Sequence, residues 1–170
     1  MEILITLSVS ADDECTIELV EPADHSNNFQ SMFQTLPLSA MIVKNEFKYS
    51  EITAKIIGAA MEVHKLLGNG FQEVIYQRAL EKEIKMQGIS YEREFEMPIF
   101  YKGEKIGTRR VDFLIHDVIS VELKAVVKLE DVHLAQAINY LEAYNLEIGM
   151  LINFGAKRLE FRRLINSRFK

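Results

Sequence analysis

At 170 residues, with 48% hydrophobic residues and a formal charge of −5, the chain is long enough for one domain with a substantial core. Its single cysteine, Cys15, excludes an internal disulfide and leaves no cysteine and histidine cluster with zinc-site spacing. No apolar run reaches the roughly 18 residues needed to cross a bilayer, and the opening MEILITLSVSADDE lacks the basic segment of a secretory leader, so a cytoplasmic protein with no membrane partner is expected.

Residues 1–40 stand apart. They hold seven carboxylates (Glu2, Asp12, Asp13, Glu14, Glu18, Glu21, Asp24), no Lys or Arg, and the prolines Pro22 and Pro37. Removing those seven negative charges from −5 leaves residues 41–170 at +2. This reads as an acidic, poorly structured N-terminal extension ahead of a compact domain over 41–170. One expectation is that Met41 is the natural start, which N-terminal sequencing would test; another is that MEILITLSV and CTIELV form two short strands.

From Ser50 the pattern is regular. Ser50 is placed to cap a helix whose apolar stripe is Ile52, Ile56, Ala59, Ala60, Val63, Leu66 and Leu67, and Gly68, Asn69 and Gly70 stop it. A second helix is expected from about Phe71 to Met86, ending at Gly88. Three strands follow, near 91–101, 106–115 and 118–126, with turns at Lys102 to Glu104 and at His116 and Asp117. A helix over about 130–144 leads to an apolar strand over 148–154, a turn at Gly155 and a last strand over 159–164. The order α, α, β, β, β, α, β, β predicts one α/β domain, a mixed sheet flanked by helices. The chain closes with Lys157, Arg158, Arg162, Arg163, Arg168 and Lys170 against Glu160 alone, either a solvated end or a holder of phosphates.

The segment VDFLIHDVISVELKA carries the chemistry. Alternation in a strand puts Val111, Phe113 and Ile115 on one face, with Arg110, Asp112 and Leu114 on the other. The next strand divides into Ile119, Val121, Leu123 and Ala125 against Ser120, Glu122 and Lys124. If the apolar sets share a core, odd-numbered residues pair with odd-numbered ones, and Asp112, Glu122 and Lys124 share a face. A two-residue loop with regular pairing would break that parity, so the loop holds three residues or the hairpin carries a bulge.

Two carboxylates and an ammonium at one strand pair suit a hard divalent cation acting on a phosphodiester, with the lysine steadying the charge that develops. Taken alone, Glu122 and Lys124 also fit a surface ion pair on an exposed sheet. Gln136 and Tyr140, four apart on the later helix, are placed to contact a phosphate or to support a cation site through hydrogen bonds; the bland alternative is a half-buried Tyr140 and a solvated Gln136. Glu73 and Tyr76 share a face of the second helix. There Glu73 either answers the helix dipole or adds an acid to the site.

The stretches EVHKLLGNGFQEVIY, YKGEKIG, VDFLIHDVISVELKAV, AQAINYL and GMLINFG together resemble the GxxExxY protein family, whose namesake positions are met by Gly70, Glu73 and Tyr76. That family is placed among PD-(D/E)xK nuclease-like proteins, and the resemblance spans about residues 50–165. It implies a restriction-endonuclease-like core, with Asp112 and Glu122 as metal ligands, Lys124 as the catalytic lysine and Glu73 as the acid from the preceding helix. Gln136 and Tyr140 fit the QxxxY motif of the exonuclease-like branch, and Tyr76 is grouped with them as a residue near nucleic acid or supporting the site. The function expected is a nuclease dependent on Mg²⁺ or Mn²⁺ and acting on DNA phosphodiesters. The alternative is a catalytically silent nuclease-fold module that binds nucleic acid or a partner protein. A homo-oligomer is left open, and no Ser/His/Asp set or glycine-rich phosphate loop supports a small-molecule hydrolase.

Overall fold

The computed structural model describes residues 48–169 and, before them, the backbone of three strands: β1 (Leu4–Val9), β2 (Glu14–Val20) and β3 (Gln34–Pro37). The suggested start at Met41 and most of the expected acidic extension lie outside the described residues, as does Lys170 of the basic end.

Helix α1 (Ser50–Leu67) buries Ile56, Ala59, Ala60 and Val63 of the expected stripe, while Leu66 at its end stands 69% exposed. Its cap is not Ser50, which is the first helical residue. Tyr49, in the left-handed region at φ 62°, takes the cap position, and Thr53 Oγ1 donates to the Tyr49 and Ser50 carbonyls at 3.1 Å each. Gly68 ends the helix at φ 66°. Helix α2 (Glu73–Met86) starts two residues later than expected.

The sheet follows with β4 (Tyr91–Tyr101), β5 (Glu104–Ile115) and β6 (Ile119–Lys124), then helix α3 (Asp131–Tyr144), β7 (Ile148–Asn153) and β8 (Glu160–Ile165). Strand order is β3-β2-β1-β8-β7-β6-β5-β4. Strands β6 and β7 run parallel and the other pairs antiparallel, as expected when α3 supplies the crossover between β6 and β7. Helices α1 and α2 pack on one face of β4–β8, over Phe113, Ile115, Val121, Leu123, Met150, Ile152 and Phe161. Helix α3 covers the other through Ala137 and Leu141. The basic end is drawn into the fold: Arg163 donates to the Lys48 carbonyl at 2.8 Å, and Arg168 pairs with Glu142 at 2.9 Å.

The β4–β5 hairpin changes faces partway along. Phe113 and Ile115 lie in the α1/α2 core, whereas Val111 joins Met97 and Leu114 against Tyr144 and Leu146 on the α3 side. Strict alternation would have kept Val111 with Phe113 and Ile115. The register is constant through the change, from Tyr91 opposite Ile115 to Phe95 opposite Val111, so no residue is inserted. Instead Glu94 takes a left-handed φ of 54°, a costly conformation for a residue with a Cβ, and twists both strands at the level of Asp112.

Candidate functional site

The length of the β5–β6 turn decides which side chains of the two strands share a face. Ile115 pairs with Ile119, Leu114 with Ser120 and Phe113 with Val121, so three residues, 116–118, form the loop and odd residues face odd ones. His116 and Asp117 sit at φ 49° and 60°, and Val118 N–H donates to the Ile115 carbonyl at 3.1 Å. That is the left-handed two-residue turn suited to strand twist, with Val118 as the extra residue that restores parity.

Strand pairing stops beyond Phe113 and Val121, and Asp112 occupies the opening. Its Oδ2 accepts from the Leu123 backbone N–H at 2.8 Å, in place of a strand-to-strand bond. Its Oδ1 accepts from Gln77 Nε2 at 2.7 Å, reaching across from α2. Glu122 follows on β6, 7% exposed, with a buried Oε1 that has no hydrogen-bond partner among the described residues. An orphaned buried carboxylate oxygen is costly, and it points to a missing cation or proton. Lys124 closes β6 opposite Asn153, and Phe154 N–H binds its carbonyl at 2.8 Å. Asn153 is fully buried and accepts the N–H groups of Val126 and Gly155 at 3.0 and 3.1 Å, which fixes the chain just past the lysine.

These groups border a cleft of about 350 Å³ that is lined by Glu73, Gln77, Arg109, Asp112, Glu122 and Lys124 among others. Burial, with the charges of Asp112 and Glu73 adding, pushes the Glu122 carboxyl up to about 8 against the pull of Lys124 and Arg109. Burial also raises Asp112, against the bonds from Leu123 and Gln77. Glu73 is raised by burial and by Asp112, with Lys124 opposing. Crowded carboxylates that resist ionisation stand ready to accept a cation.

Among the described residues, no three of His, Cys, Asp or Glu are arranged to hold a metal ion together. The expected trio Asp112, Glu122 and Glu73 is therefore not a preformed cage; each Asp112 oxygen accepts one N–H and keeps a further lone pair. A Mg²⁺ site needs less than a full cage, since that ion keeps several waters and takes one or two carboxylates. Hard oxygen donors, a like-charge pair and an unpartnered Glu122 oxygen fit such an ion.

The helix residues divide. Tyr140 lies by the site: the Arg109 guanidinium sits 4.8 Å from its ring centre, and burial raises its hydroxyl, with Glu122 adding. Gln136 is exposed one turn earlier on α3 and does not line the cleft. Tyr76 corrects an expectation. It is fully buried and stacks on Phe154 at 4.7 Å; its hydroxyl donates to the Gly68 carbonyl at 2.9 Å and accepts from Phe71 N–H at 3.1 Å. It pins the loop that launches α2 and does not reach the cleft. His133 accepts the Glu130 N–H at 3.0 Å through Nδ1, a helix-start contact.

Gln77 and Arg109 are among the cleft residues that the sequence reading did not single out. Gln77 sits one position past Tyr76, where α2 meets Asp112, and only the packing of that helix reveals it. Arg109 was hidden because strict alternation puts it opposite Asp112, whereas the twist at Glu94 brings it round to Tyr140 and Glu122.

A family model described as the PD-(D/E)XK nuclease superfamily matches residues 50–164. The mixed sheet of β4–β8 between helices agrees with the restriction-endonuclease-like core of that superfamily. No curated protein and no solved structure matches the chain.

Proposed function

The chain belongs to the PD-(D/E)XK nuclease superfamily, and from that membership we propose that it is a divalent-metal-dependent nuclease hydrolysing DNA phosphodiester bonds. The observation that carries the reading is the buried, unpartnered oxygen of Glu122 beside Asp112, with Lys124 on the same cleft. Within the superfamily we place the chain with the GxxExxY proteins. Gly70 adopts φ 114°, which a side chain would resist, Tyr76 clamps the loop, and Glu73 opens α2 at the cleft.

Asp112 and Glu122 would hold Mg²⁺ or Mn²⁺, which would supply polarisation of a phosphoryl oxygen and a more nucleophilic water. Asp112 is kept in a single orientation by Gln77 and Leu123. Glu122 would have to give up its proton to hold a cation, so cation binding is expected to strengthen as pH rises toward about 8. Lys124 places its ammonium where negative charge grows on the phosphate, and Arg109, steadied over Tyr140, offers a second cation. Glu73, at the mouth, holds or passes a proton near Lys124. The chemistry reads phosphate and not base, so the site itself is indifferent to sequence.

Purified protein is expected to cut a mixed DNA panel only with Mg²⁺ or Mn²⁺. Asp112→Ala and Lys124→Ala should each lower the rate by about a hundredfold or more. No cleavage with either ion would sink the proposal. The second reading, a silent binding module, draws on the two hydrogen bonds that already occupy Asp112. Calorimetric titration with Mg²⁺ separates them: heat lost in Asp112→Ala supports the enzyme, and no heat from the intact chain supports the module.

A further inference from the structure

Beyond Phe113, β5 has no partner except β4 among the described residues, and from Pro98 to Thr108 every residue but Ile99 and Gly107 is exposed. The hairpin is thus an arm standing out from the domain. A tight turn with Lys102 at φ 50° and Gly103 at φ 86° closes its tip. Phe100, Tyr101 and Ile106 stand there 62%, 60% and 64% exposed. Three large apolar side chains exposed near a ribbon tip mark a contact surface more than an ordinary solvated edge, where charged residues are the usual defence.

The charges say what kind of partner fits. Between Met97 and Arg110 four cations, Lys102, Lys105, Arg109 and Arg110, face the single carboxylate Glu104, although the whole chain is at −5. Lys102 Nζ lies 5.4 Å from the Tyr101 ring centre. At the root, Arg110 is 3.9 Å from Glu94, and Arg109 and Arg110 both line the cleft. Aromatic faces interleaved with cations, continuous with an acidic catalytic pocket, suit a polyanion with flat hydrophobic rings. A duplex covers its base faces; an unpaired strand presents them.

We propose that the β4–β5 arm is the recognition element of this protein and that its ligand is an unpaired stretch of nucleic acid. Bases stack on Phe100 and Tyr101, while Lys102, Lys105 and Arg109 take the phosphates and lead the strand toward Asp112 and Glu122. The inference rests on the nuclease reading for what happens in the cleft, but the binding stands without it.

The test is fluorescence anisotropy of the full chain in EDTA, with labelled oligothymidylate and with a blunt duplex. The intact protein should prefer the single strand, and the double variant Phe100→Ala/Tyr101→Ala should bind it about tenfold or more weakly. Both side chains are exposed, so the thermal midpoint should not move. If it does, Lys102→Ala/Lys105→Ala replaces it and should flatten the salt dependence of binding. Equal affinity for strand and duplex, no binding to either, or unchanged affinity in the variants overturns the proposal. So does a dimer of the intact chain that the tip variants convert to monomer, which would assign the arm to a second copy. Hydrolysis of bis(4-nitrophenyl) phosphate with Mn²⁺ separates the two claims. Loss of that activity in Asp112→Ala supports the cleft chemistry whatever the arm does, and strand binding without any hydrolysis supports the arm alone.

Discussion

The Glu122 carboxyl, pushed up to about 8 by burial beside Asp112, couples folding to pH. Its ordinary value is 4.5, so between those limits the folded chain keeps a proton that the unfolded chain releases. Stability is therefore fullest below 4.5 and declines as pH rises through about 8, by at most about 1.4 kcal/mol per pH unit for this one group. Unfolding curves in EDTA across that window are expected to show the decline, and Glu122→Gln should flatten it while abolishing Mn²⁺ binding. An identical slope in both proteins would mean that Glu122 is not the linked group. Tyr76 makes a contrasting prediction, because its role is mechanical. Tyr76→Phe keeps the stack on Phe154 but strands the Gly68 carbonyl and Phe71 N–H, at a cost of about 1–3 kcal/mol in denaturant titration. Composition and spacing singled out Asp112, Glu122, Lys124 and Glu73, because strand alternation confines which side chains can meet. They did not distinguish Tyr76 as a loop clamp, since a tyrosine three residues after a glutamate has the same helical spacing whether it faces core or cleft.

Among the elements, the hairpins and crossovers decide how far the site opens. Gly155 follows β7 against the chain leaving β6, and a Cβ there would stand 2.5 Å from Ala125 C and Val126 N. Backbone cannot rotate aside, so Gly155→Ala is expected to destabilise by on the order of 1–3 kcal/mol and to displace Lys124 from its place by Asn153. A thermal midpoint equal to the parent's would contradict this. Strand β4 and the ends of the central helices were readable from periodicity and glycine punctuation, and the three-residue β5–β6 loop followed from parity. The face change at Glu94 was not readable. A glutamate at φ 54° leaves no mark in sequence, because any residue type other than glycine or asparagine is a poor indicator of that conformation. Its consequences, Val111 turned to α3 and Arg109 turned to Tyr140, were hidden with it.

For the molecule as a whole, the catalytic candidates all come from the part beginning at Glu73, while β1 joins the sheet by pairing with β8. A chain starting at Met41 is expected to bind Mn²⁺ with unchanged affinity. Its uncovered β8 edge should raise self-association in light scattering; a lost cation site would show that the first strands shape the cleft. No helix among the described residues is long and apolar enough to cross a membrane. What the sequence determined by itself was the order of the elements from α1 to β8 and the nomination of an acid, acid, lysine set, because both follow from local periodicity and from which residue types bind hard cations. What only the tertiary structure decided was how those groups are held: Asp112 tied between Gln77 and Leu123, Glu122 left with a buried oxygen, and Arg109 brought in from the far side of a strand. Those depend on contacts between segments distant in the chain and on one backbone angle, which no local pattern encodes.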